Sequence, residues 1–254
     1  MSQYITLRFT NALFRKFSLL AIFSLWTVIV CGQAIANIDQ TNTVQTSSTK
    51  KKSASERLEE TLKCFNPLNK NAEYSITLCA DIPDNNQPDR VHVRSETGHV
   101  FIVLTKIQQS DTTHCVFGFY PRRPASSLIF KNVRSEILDN SEREYNISVF
   151  KQLDETSFMK TLNTAIELAK KKYNLNKYNC YDYAIDIFNE VAGTNKLPKN
   201  HINFSFIFGK GGSSCSLYAD LKQLKENGST WAPYIQIGLF KAPVSKDFEI
   251  SDNQ

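Results

Sequence analysis

The chain has 254 residues, enough for one good-sized domain or two small ones. Its formal charge is +5 and 41% of its residues are hydrophobic, ordinary values for a globular protein. The balance is too mild for a nucleic-acid binder, and no basic stripe interleaved with aromatics is present to argue otherwise.

The N-terminus departs from that ordinary composition. Arg8, Arg15 and Lys16 precede an uncharged apolar run from Phe17 to Val30, and Ala34-Ile35-Ala36 follows with the small-x-small pattern of a signal-peptidase site. Together these mark an export signal over 1–36, cleaved after Ala36. An uncleaved membrane anchor is the rival, but the run is short for a full span. After processing no stable membrane span is expected, and the protein is expected to be secreted or periplasmic. Residues 37–54 are rich in Thr, Ser, Gln and Asn and contain Lys50-Lys51-Lys52. Such a tract reads as a disordered linker.

Ordered structure is expected from 55 to 240. Ser55 suits the cap of a short helix running to Cys64. Tyr74 to Cys79 reads as a strand, followed by the turn-rich segment 80–87. After Gly98, the run His99 to Thr105 is apolar on both faces, as a central strand is. His99 stands at its start, on the face of Phe101 and Val103. His114 to Tyr120 forms a hairpin with it, placing Tyr120 opposite His99 and Gly118 opposite Phe101. Ser127 to Phe130 and Glu144 to Phe150 are further strand candidates. Asp154 to Tyr173 is amphipathic and helical, with Lys170, Lys171 and Lys172 in its last turn, where cations suit the dipole.

A second helix opens at Cys180. Asn179 suits its N-cap, Asp182 the carboxylate of a capping box, and Gly193 the left-handed closing residue. Cys180, Ala184, Ile187, Phe188 and Val191 form one apolar face. A sulfur at a helix N-terminus favours the nucleophilic thiolate, although a cysteine on an apolar face is more often a small core hydrophobe. Past Gly193, Asn195 to Asn203 reads as a loop and Gly209 to Gly212 as a mobile loop. Ser214 to Glu226 reads as a helix, Trp231 to Phe240 as a strand, and 241–254 as a flexible tail. The processed chain keeps Cys64, Cys79, Cys115, Cys180 and Cys215, an odd number that leaves one thiol unpaired within the chain. Neither CxxC nor HExxH spacing is present, so no metal is expected, and no cofactor is called for.

The fold class read from this order is α+β, an antiparallel sheet packed against helices. Here the sequence resembles a family. Gly98-His99-Val100-Phe101-Ile102-Val103-Leu104, then Gly118-Phe119-Tyr120-Pro121, then Asn179-Cys180-Tyr181-Asp182 are similar to motifs of the circularly permuted branch of papain-like, NlpC-like thiol hydrolases. In that branch the histidine strand precedes the cysteine helix. Lecithin:retinol acyltransferase-like enzymes and desumoylating isopeptidases share the order. The resemblance covers Tyr74 to Gly193 and implies Cys180 as nucleophile and His99 as general base. A histidine merely satisfied at a strand end remains the other reading of His99.

The family also places a polar group on the following strand to orient the imidazole. His114 lies roughly 20 Å away at the far end of the hairpin, so Tyr120 is taken for that role, with a backbone carbonyl as the alternative. The resemblance implies a thioester acyl-enzyme and a peptide or acyl substrate, with peptidoglycan amides foremost. Lipid acyl hydrolysis or transfer, and a non-enzymatic exported binding domain or effector on the same fold, are the alternatives. Oligomeric state is not legible.

Overall fold

A computed structural model describes residues 52–91, 98–129, 132–205 and 209–248. The expected signal segment and most of the linker lie outside them.

Ser53 caps α1 (Ala54–Thr61) through a capping box with Glu56, two residues before the cap expected at Ser55. A 3-10 turn, Leu62–Phe65, leads to β1 (Glu73–Asp81), β2 (His99–Gln108) and β3 (Asp111–Pro121). Then come α2 (Pro124–Ile129), β4 (Ser135–Asp139), β5 (Glu144–Leu153) and α3 (Glu155–Leu168). The remaining elements are α4 (Cys180–Val191), β6 (Ile202–Ser205), β7 (Gly209–Gly211), α5 (Ser214–Glu226) and β8 (Ile235–Lys241).

Six strands form one antiparallel sheet in the order β4-β3-β2-β1-β5-β8, and β6 and β7 pair separately. The class is α+β. The hairpin register places Phe101 opposite Gly118, as its polar turn predicts. Segment 127–130, expected as a strand, instead begins within α2. Pro124 explains the change: a fixed φ and missing N–H suit the first turn of a helix and not a ladder.

One face of the sheet carries Ile76, Leu78, Val100, Ile102, Leu104, Cys115 and Phe117, all fully buried in the main core with residues of α1, α3, α4 and α5. Alternate residues Cys79, Phe101, Val103 and Val116 form a second cluster on the other face, joined by Ala242. The segment expected as a tail thus begins as a cover. Ser245 accepts from the Val116 N–H at 2.9 Å, and the Lys246 N–H donates to the His114 carbonyl at 2.8 Å. Both faces of β2 are therefore buried, which is why its sequence is apolar without alternation.

Helix α4 is the centre of the main core. Besides the expected Ala184, Ile187 and Phe188, it buries Tyr181, Tyr183 and Ile185, so it is enclosed on nearly all sides. The Tyr183 hydroxyl donates to the Ala165 carbonyl at 3.0 Å, locking α4 on α3. Each such aromatic contributes about 1.5–3 kcal/mol of burial, which fixes the helix start that carries Cys180.

Candidate active site

The start of α4 is held by one side chain. Asn179 Oδ1 accepts from the Tyr181 N–H at 2.8 Å, while its Nδ2 donates to the carbonyls of Leu175 at 2.9 Å and Gly212 at 2.8 Å. Asp182 completes the capping box by accepting from the Asn179 N–H at 3.2 Å. Its other oxygen faces His201 Nε2 at 3.3 Å and Lys199 at 3.4 Å. Asn179 thereby ties the helix to the connection before it and to the loop before α5, and Cys180 inherits a fixed position.

Cys180 is partly exposed and bears a free thiol. The N–H groups of Val100 and Tyr181 lie near enough to its sulfur to favour the thiolate. Val100 directly follows His99, so the sulfur meets β2 at its first residues. Each residue is the first of its element, and the meeting is at the end of the sheet. The side chains of Val100 and Ile102 face the core, whereas the His99 ring lies on the other face with Phe101 and Tyr120.

His99 is buried, 5% exposed. Its ring stacks on Tyr120, with centroids 4.1 Å apart and planes 20° from parallel. Gly118 makes room for it. A Cβ there would lie 2.2 Å from His99 Nε2 and 2.4 Å from Asn140 Oδ1. Both atoms face the same point, and neither has a hydrogen-bond partner among the described residues. Asn140 Nδ2 donates to the Tyr120 hydroxyl at 2.6 Å, and the Asn140 N–H donates to the Val116 carbonyl at 3.0 Å.

Tyr120 thus differs from its expected role. Its hydroxyl is engaged by Asn140 and its ring lies flat against the imidazole, so it cannot accept an in-plane N–H from His99. The polar group facing His99 is Asn140, which sequence reasoning missed. Asn140 follows β4, whose five residues hold only Ile137 and Leu138 as an apolar signal, and no spacing ties it to His99. His114 is remote, as expected. It pairs across the hairpin with Thr105, whose hydroxyl lies 2.9 Å from Nδ1.

Electrostatics correct a second expectation. Burial pushes the Cys180 thiol up to about 11 and outweighs the helix start, although the Val100 and Tyr181 N–H groups and the Arg143 cation pull the other way. His99 is held well below its ordinary 6.5, first by burial and then by Arg143. Arg143 is itself placed by Asp81, which it meets at 2.7 Å, and Asp81 stands opposite His99 across the β1–β2 ladder. Burial also pushes the Tyr120 phenol up to about 12. At neutral pH each group of the cluster is uncharged on its own: a thiol, an imidazole and a phenol.

Cys64, Cys79, Cys115 and Cys215 are free as well. Among the described residues no group of three or more His, Cys, Asp or Glu side chains is arranged to hold a metal ion, and no helix is long and apolar enough to cross a membrane. Comparison of the chain with family models, with curated proteins and with solved structures found no match.

Proposed function

We propose that this chain is an exported thiol hydrolase of the circularly permuted papain-like kind, with Cys180 as nucleophile, His99 as general base and Asn140 as the group that orients the base. One observation carries the reading. The Cys180 thiol stands at a helix N-terminus near the N–H that follows His99, while His99 Nε2 and Asn140 Oδ1 both face the space over Gly118 without a hydrogen-bond partner among the described residues.

The roles follow from donor and acceptor chemistry. An amide oxygen facing Nε2 favours the tautomer with hydrogen on Nε2, leaving Nδ1 as the basic nitrogen. In this reading Nδ1 takes the thiol proton as sulfur attacks the carbonyl carbon. That step requires the His99 ring, on the face of the sheet away from α4, to reach the sulfur around the end of the sheet. The tetrahedral oxyanion collapses to a thioester as imidazolium protonates the leaving amine. Water, deprotonated by the same imidazole, then releases the acid and restores the thiol. Backbone N–H groups at the start of α4, that of Cys180 first, face the oxyanion. The partners start neutral, so His99 acts as base in concert with attack rather than standing in a preformed ion pair. Buried neutral groups need no solvation of charge in the ground state.

Peptide amides of peptidoglycan are the substrate class the export signal favours. The test is release of peptide fragments from purified peptidoglycan by the processed protein and by its Cys180→Ala variant. Release lost in the variant supports the proposal. Turnover of acyl esters alone would keep the chemistry and move the substrate to lipids. No turnover of either, with Cys180 inert to a thioester-forming probe, would leave a binding domain.

A further inference from the structure

A cavity of about 350 Å3 opens where the start of α1, the end of β3, the start of β4 and the turn after α3 come together. Lys52, Arg57, Arg122, Arg134 and the run Lys170 to Lys172 line it, against one carboxylate, that of Glu136. Part of this charge is answered within the protein. Arg57 pairs with Glu136 at 3.2 Å, both side chains mostly buried, and the pair neutralises itself. Lys52 meets Glu60 at 2.7 Å, Lys170 meets Glu167, and Lys171 lies 4.1 Å from the centroid of the Tyr178 ring. The N-terminus of α1 is also taken, because the Glu56 carboxylate accepts the Ser53 N–H at 2.7 Å.

Three cations remain without a side-chain partner among the described residues: Arg122, Arg134 and Lys172. They come from three separate segments. The backbones of the two arginines are joined, the Arg122 N–H donating to the Arg134 carbonyl at 2.9 Å beside the Pro121–Ser135 strand pair. Like charges set side by side across a ladder cost stability. The helix dipole at the end of α3 accounts for the lysines, but it does not account for two arginines brought together from other segments. An anion between them would. Arg guanidinium forks fit phosphoryl oxygens in a bidentate manner, and a cavity of this size suits a small molecule rather than a polymer.

We propose that this cavity is a binding site for a small anion carrying more than one phosphoryl charge, held by Arg122, Arg134 and Lys172. The site stands on the cavity and its charges, not on the thiol chemistry, and Cys180→Ala protein should bind as the parent does.

The test is calorimetric titration of the chain with inorganic pyrophosphate at low ionic strength. Saturable binding at one site is expected, weakened by added salt. Arg122→Gln and Arg134→Gln should each weaken it about tenfold, the loss of one charge-assisted contact. Both variants should melt no lower than the parent without ligand, because each removes a repulsion rather than a support. Lys222→Gln, on α5, should bind as the parent does. Absence of saturable binding, or unchanged affinity in the folded Arg122→Gln/Arg134→Gln double variant, would overturn the proposal. So would sedimentation with phosphatidylglycerol vesicles that pyrophosphate does not compete away, since the surface would then read a headgroup layer.

Discussion

Asn140 gives its Nδ2 hydrogen to the Tyr120 hydroxyl at 2.6 Å, and that bond turns its Oδ1 toward His99. The amide donates to the phenol, and its oxygen is left facing the space that His99 Nε2 also faces, with no hydrogen bond between them. Asn140→Ala should therefore lower kcat by roughly ten- to a hundredfold, about 1.4–3 kcal/mol of lost orientation. Tyr120→Phe removes only the bond that holds the amide and should cost several-fold at most. Steady-state kinetics on peptidoglycan fragments checks both. An unchanged kcat in Asn140→Ala would remove Asn140 from the site.

Gly118 offers a test that touches no polar group. A methyl there would meet His99 Nε2 and Asn140 Oδ1 at distances no Cβ tolerates. Gly118→Ala should abolish turnover by driving the two side chains apart. It should also destabilise the fold by about 1–3 kcal/mol, since overpacking at a buried site has that cost. Denaturant melts and activity, measured on the same preparation, separate the two effects.

The features read well from sequence are those with local causes. Asn179, Asp182 and Gly193 bracket α4, and Gly193 closes it at a φ of 68°. The hairpin register followed from its turn. The misses have tertiary causes. Strand β4 is short and held by its pairing with β3. Asn140 reaches His99 only because β4 lies beside β3. The raised thiol follows from burial at the start of α4, which no single-face periodicity reveals. The cover formed by Ala242 and Ser245 depends on a second face of the sheet that needs burying.

Asn179 is the place where propensity and packing disagree. Aspartate is as good an N-cap as asparagine, so Asn179→Asp looks harmless on a helix scale. Here it would lose both buried donations, to Leu175 and Gly212, and set a second carboxylate beside Asp182. A loss of about 2–4 kcal/mol is expected from two unsatisfied buried carbonyls and an unpaired charge. Urea denaturation measures it. A change under about 0.5 kcal/mol would show that the cap alone holds the helix start.

The shifted groups set the pH dependence. The unfolded chain binds a proton at His99 near pH 6.5, and the folded chain refuses it because burial and Arg143 hold that pKa well below. The contribution to stability is whole above about pH 6.5 and is lost progressively as pH falls toward the folded value. His114, held down by burial, adds a smaller effect of the same sign. The Tm should therefore drop between pH 7 and pH 5, and His99→Gln should flatten that slope more than His114→Gln. Alkylation tests the thiol in parallel. With the Cys180 pKa near 11, His99→Gln protein should react with iodoacetamide about tenfold faster per pH unit between 7 and 10, following the thiolate fraction. If His99 serves Cys180, the imidazole of the parent, already neutral in this range, assists proton loss, and the rate at pH 7 should be higher and rise less steeply. Identical profiles for parent and variant would show that His99 does not serve Cys180.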